Sequence, residues 1–241
     1  MRNLRNLILA AALAAIAAAP VSAQSVTDVL DKYHTAVGGV DAWTDLSTMK
    51  AKGTIDVSGM VTGPFTIVQK RPTMARIDIT VQGMTIVQAF DGTTAWQIVP
   101  FSGSTEPEVA DDDTARQVIE QADLDGPLIG WKEAGSQIEL AGVETVDGAE
   151  ATKLKLTLNT GEVTYYYLDA DYLPIKIVAV RDLQGVESEL TTTLSDYKEV
   201  GGLMFPFKIA VDTPLGVQAL TFDTIEVNTD VDESLFSMPG S

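Results

Sequence analysis

Met49-Lys50-Ala51-Lys52-Gly53-Thr54-Ile55-Asp56-Val57-Ser58 changes character at every step. Met49, Ala51, Gly53, Ile55 and Val57 alternate with polar or charged neighbours, and a period of two marks a strand with one buried face. The period returns in Ala75-Arg76-Ile77-Asp78-Ile79-Thr80-Val81 and in Lys153-Leu154-Lys155-Leu156-Thr157-Leu158. Turn-forming pairs punctuate these runs: Gln82-Gly83, Asp91-Gly92, Asp147-Gly148, Thr160-Gly161, Gln184-Gly185 and Leu215-Gly216. About twelve strand-like runs follow one another between Thr48 and Asn228. Consecutive runs joined by short turns pair antiparallel. One long stretch, Pro100 to Trp131, interrupts the series and reads as a helical insertion.

Strand number has a physical consequence. Roughly eight strands close into a barrel that side chains fill, and more strands leave room inside. Eleven or twelve strands with few inward charges predict an apolar hollow, to be plugged by helices or occupied by a ligand. Two covers are available. Ser25 caps a first helix, with Asp28 in its first turn and Val26, Val29, Leu30, Tyr33 and Val37 at helical spacing. Gly38-Gly39 stops it, and a short second helix runs from Val40 to Leu46. The other cover is Thr114 to Leu124, with Ala115, Val118, Ile119 and Ala122 on one face. A twisted sheet packed on these helices as a closed core satisfies the same periodicity, so both readings stand at this point.

The first 23 residues read as an export signal. Arg2 and Arg5 are followed by an apolar stretch from Leu7 to Pro20 and by the small-x-small site Val21-Ser22-Ala23. Cleavage after Ala23 leaves 218 of the 241 residues, expected to form a single domain over 24–241. Gln24 at the new N-terminus excludes lipid anchoring through a cysteine. The net charge of −18 becomes −20 once Arg2 and Arg5 are removed. A surface that acidic repels phosphate backbones and anionic headgroups, so nucleic acid is not an expected partner. The chain has no cysteine, which removes thiol chemistry and cysteine-ligated metals.

Residues with catalytic potential are sparse. A single histidine, His34, sits on the first helix and removes the usual nucleophile–base pairs and most zinc sites. Asp111-Asp112-Asp113 lacks the glycine and final glutamate of a calcium loop, and fits a helix N-terminus. Asp123-Leu124-Asp125-Gly126 reads as a helix end and turn before Pro127. Tyr165-Tyr166-Tyr167 alternate across a strand and form no flat stacking platform. No catalytic residue, metal or cofactor is called for, and no enzymatic activity is expected.

Three segments carry a resemblance. Asp91-Gly92-Thr93-Thr94-Ala95-Trp96-Gln97-Ile98-Val99-Pro100 resembles the D-G-x-x-x-W-x-[YI]-x-P strand of the periplasmic lipoprotein carriers of the LolA/LolB-like group. Leu168-Asp169-Ala170-Asp171-Tyr172-Leu173-Pro174 is similar to their D-x-x-x-x-L-P hairpin, with Asp171-Tyr172 where T-G is common. Asp232-Glu233-Ser234-Leu235-Phe236-Ser237-Met238-Pro239 is similar to their closing D-x-x-x-F-x-x-P. The resemblance is nearest to the broad group of outer membrane lipoprotein-sorting proteins. It implies an unclosed antiparallel barrel with a helical lid, working in the periplasm as a monomeric carrier or chaperone of acyl chains or lipoproteins. Inner- and outer-membrane partner proteins are implied as well. A non-transporting periplasmic interaction or sensor domain of the same fold is the alternative.

Burying hydrocarbon contributes about 0.8 kcal/mol per methylene, so an acyl site needs a dry wall rather than a polar constellation. The early strands offer one: Ile55, Val57, Phe65, Ile67, Ile77, Ile79, Ile86, Trp96 and Ile98, with Trp131, Met60 and Met84 at a rim or lid. Parity assigns Met84, Ile86, Trp96 and Ile98 to one face. Ordinary core packing accounts for each of these side chains equally well.

Overall fold

The computed structural model describes residues 24–103, 105–183, 186–213 and 216–240. The export signal and the Gln184-Gly185 turn lie outside them, as does Leu215 of the last expected turn. Thirteen strands form one antiparallel sheet. In chain order they are β1 (Thr48–Val57), β2 (Val61–Lys70), β3 (Met74–Val81), β4 (Met84–Phe90), β5 (Ala95–Ile98), β6 (Glu108–Val109) and β7 (Gln137–Val146). After these come β8 (Ala149–Thr157), β9 (Val163–Leu168), β10 (Pro174–Leu183), β11 (Val186–Val200), β12 (Leu203–Thr213) and β13 (Gly216–Val227). Every neighbouring pair is consecutive in sequence except one, β1 beside β13. That pair joins two meanders in the middle and leaves β6 and β7 as the two edges, so the sheet does not close.

The expected count of eleven or twelve strands fell short because β6 is two residues long and sits inside the supposed helical insertion. Gln97 and Glu108 register across the β5–β6 pair, and the Ala110 N–H donates to Ala95 O at 3.0 Å. The chain leaves this edge and crosses to the other through helix α3 (Asp112–Gln121) and a turn-rich stretch ending at Ser136.

Turn length decides which side chains share a face. The three-residue β1–β2 turn registers Ile55 opposite Gly63 and Val57 opposite Val61, so odd residues stay with odd. The two-residue turn at Gln82-Gly83, both with positive φ (51° and 79°), registers Ile79 opposite Ile86, and odd now faces even. Asp91-Gly92-Thr93-Thr94 inverts the parity again, registering Ala95 opposite Phe90 and Trp96 opposite Ala89.

Three helices cover the inner face. Helix α1 (Val26–Ala36) opens on a reciprocal capping box between Ser25 and Asp28 and buries Val29 and Leu30. They pack against Ile138, Leu154, Leu156, Tyr166 and Leu168. Gly38 follows at φ +108°, where a Cβ would lie 2.2 Å from Gly202 O, so only glycine fits. Helix α2 (Val40–Thr44) lays Trp43 on Phe205 near Leu46 and Leu203. Helix α3 is capped by Asp111 and packs Ala115, Val118 and Ala122 over Ala75, Ile77, Phe90 and Ala95. Ile119 departs from the expected face and is 44% exposed, because its position turns it to the flank of that stripe.

Candidate functional site: an inner-face cavity

The first and last of the three sequence motifs meet on the outer face, and the middle one ties to α1. Asp91 Oδ1 accepts from the N–H groups of Thr93 and Thr94 at 2.9 and 2.7 Å, which fixes the turn into β5. Trp96 is fully buried, and its indole N–H donates to Phe236 O at 2.7 Å. Asp232 Oδ1 caps the closing turn by accepting from Ser234 N–H at 2.9 Å. That turn brings Phe236 and Met238 over Val68, Val87, Ala89 and Trp96. In the middle hairpin Asp169 Oδ1 accepts from Asp171 and Leu173 N–H groups, while Tyr172 takes a left-handed φ of 64°. The Tyr172 hydroxyl meets Lys32 Nζ and Gln24 Nε2, each at 2.9 Å, tying the hairpin to α1.

This arrangement corrects part of the expected wall. Ile55, Val57, Phe65, Ile67, Ile77, Ile79, Met84 and Ile86 share the inner face. Trp96 and Ile98 lie on the outer face with Ala89 and Val87, because the four-residue turn inverts parity. They line nothing on the inside. Trp131 is half-buried against the α1 cluster, well away from the early strands in sequence. Over the early strands the inner face is largely filled: α3 sits on Ile67, Ile77 and Ile79, and Phe65 packs edge-on against Phe222 at 5.2 Å.

Space opens on the other side of α3. A cavity of about 550 Å³ lies between this helix and strands β8–β10. Its sheet wall is Leu156, Leu158, Thr164, Tyr166, Ile177 and Ala179. Thr164 and Ala179 are directly opposed across β9 and β10, so two short side chains meet where longer ones would fill the gap. The helix side is polar: Gln117, Glu120, Gln121 and Asp123, all exposed, followed by Gly126 and Pro127. None of the twelve residues expected to form the wall and its rim lines this cavity. Leu156 and Leu158 were visible as an alternating strand, and the shortness of Thr164 and Ala179 was the signal that could have marked the space.

The crossing segment is held near its middle, at two neighbouring points. Arg71 makes a two-pronged ion pair with Asp125, one prong at 3.0 Å, and also donates to the carbonyls of Leu46 and Trp43. The Asp125 hydrogen bond, reinforced by the charges of Asp125 and Asp123, raises the Arg71 pKa and keeps it ionised. Just beyond it His34 Nε2 lies 3.1 Å from Leu128 O, so the one histidine is a structural tie between α1 and the crossing. Tyr166 faces the cavity while Tyr165 and Tyr167 flank Lys153 on the outer face, at 4.5 and 5.1 Å from its Nζ. Among the described residues, no helix is long and apolar enough to cross a membrane.

No family model matches the sequence, and no curated protein matches it significantly. Solved structures do match. A DUF1329 family protein from Desulfovibrio piger aligns with 89% of this chain and 98% of its own at 12% identity, with a TM-score of 0.60. A LolA superfamily protein from Nitrosomonas europaea aligns over 89% and 98% at 14% identity, TM-score 0.59. A domain assigned as an outer membrane lipoprotein-sorting protein from Vibrio parahaemolyticus aligns over 87% and 95% at 12% identity, TM-score 0.56. With an unclosed antiparallel sheet, an inner helical layer and these neighbours, the chain has a divergent LolA-like fold.

Proposed function

We propose that the protein is a periplasmic binder and carrier of acyl chains or acylated molecules, built as one domain over 24–241 behind an export signal at 1–23. The observation that carries this reading is the 550 Å³ space between α3 and β8–β10, walled by Leu156, Leu158, Tyr166, Ile177 and Ala179. Its size falls within the roughly 300–1,000 Å³ of small-molecule sites. Removing an alkyl chain from water contributes about 0.8 kcal/mol per methylene, enough for useful affinity after ordering costs. The crossing segment carries α3 from one sheet edge to the other, so movement of that segment would open the space without breaking a strand pair. The fold shared with a lipoprotein-sorting domain and a LolA superfamily protein supports the same reading.

A non-transporting interaction domain is the second reading. It is favoured by β7, a ten-residue edge strand on which Val143 is 61% exposed. A cavity-filling change separates the two. Ala179→Trp should lower affinity for a fluorescent alkyl probe at least tenfold, with thermal unfolding shifted by only a few degrees. A wild-type protein that binds no alkyl probe removes the carrier and leaves the interaction domain.

A further inference from the structure

The cavity has a greasy wall and an acidic rim, and the two together select a ligand class. Glu120 and Asp123 are exposed on the α3 side of the opening, beside the neutral amides of Gln117 and Gln121. Among the described side chains, no lysine or arginine lines the space. Arg71 feels Asp123 but is already committed to Asp125 and to two backbone carbonyls, and Arg116, four residues before Glu120 on α3, pairs with Asp113 at 2.6 Å. Asp123 itself caps the following turn, accepting from Asp125 N–H at 3.0 Å, which holds its carboxylate in place. A ligand whose tail lies against Leu156 and Ile177 would present its polar end to two carboxylates and two amides. The whole chain, at −18, adds a field of the same sign.

We infer that the cavity takes amphiphiles whose polar end is cationic, or neutral and rich in hydrogen-bond donors, and rejects those ending in a carboxylate or phosphate. The inference rests on the acyl-binding reading above and sharpens it. Free fatty acids are poor ligands on this account, because their charged end would sit between Glu120 and Asp123 with no counter-ion. An alkyl ammonium gains both carboxylates, and an alcohol or amide keeps the hydrophobic gain and loses nothing.

The test compares three chains of equal length on the full exported protein by calorimetry at pH 7 and low ionic strength. Dodecylammonium should bind most tightly, dodecanol next, and dodecanoate at least tenfold more weakly than dodecylammonium. Added salt should shrink that ratio, since rim charges are screened. The double variant Glu120→Gln, Asp123→Asn should collapse the ratio towards one, while Glu150→Gln with Glu226→Gln, two exposed acids elsewhere, should preserve it. If both double variants reduce the ratio equally, the preference belongs to the whole surface and the rim assignment is wrong. Dodecanoate binding as tightly as dodecylammonium overturns the inference while leaving an acyl site. Failure of all three chains to bind, dodecanol included, defeats the underlying reading instead.

Discussion

Trp96 donates its indole N–H to Phe236 O at 2.7 Å, and neither side chain has any exposed surface. The bond joins the start of the sheet to the end of the chain, 140 residues apart. It explains why an aromatic residue with a donor stands in β5: Phe would leave the carbonyl of Phe236 unpaired and part of the indole's buried space empty. Losing a buried hydrogen-bond partner costs about 1–3 kcal/mol. Trp96→Phe should therefore lower unfolding free energy by at least that amount in a urea titration with an unchanged slope. Alkyl binding should stay as in wild type, since the indole lies on the outer face, opposite the cavity. Altered alkyl affinity in a folded variant would contradict the outer-face placement. Residue-scale chemistry of this kind was partly legible: Asp91-Gly92 announced a turn, and the resemblance placed Asp169 in a hairpin. The partner of Trp96 was not, because nothing local links positions 96 and 236.

At the scale of elements, strands were legible and their faces were not. Alternation within β1 or β8 identifies each strand, but the face shown by the next strand depends on whether the turn holds an odd or even number of residues. The three-residue turn after Val57 preserved parity and the four-residue turn after Phe90 reversed it, which moved Trp96 and Ile98 to the outside. Location of the cavity depends on a further non-local fact, namely which strands α3 covers. It packs on β3 to β5 and leaves β8 to β10 open, and no periodicity in residues 112–121 encodes that choice. Helix α3 allows a sharp test, because Val118 is 1% exposed and Ile119, its neighbour, 44%. Val118→Glu puts a carboxylate against Ala75, Ile77 and Phe90, and the helix should undock at a cost of several kcal/mol. Ile119→Glu should stay within about 0.5 kcal/mol of wild type. Hydrogen exchange would locate the loss in 110–126 while the β1–β13 amides remain protected. Equal effects of the two changes would mean that α3 does not dock through this stripe.

For the molecule as a whole, topology and charge act together. The sheet stays open between β6 and β7, and the chain bridges that gap with its own crossing segment, which lies over the space without adding a strand pair to close it. The crossing is fastened near its middle, by Arg71 to Asp125 and by His34 to Leu128 O. On the proposed carrier reading, the protein gains by not adhering to membranes. Its charge of −18, or −20 without residues 1–23, opposes contact with anionic lipid over a Debye length of about 8–10 Å at physiological salt. Partition onto vesicles should therefore be weak at low ionic strength and should fall as the anionic lipid fraction rises from none to about half. Sedimentation of the mature protein with such vesicles measures this directly. Binding that strengthens with anionic lipid would mean that a local basic patch outweighs the global field, and would place the protein on the membrane rather than between membranes.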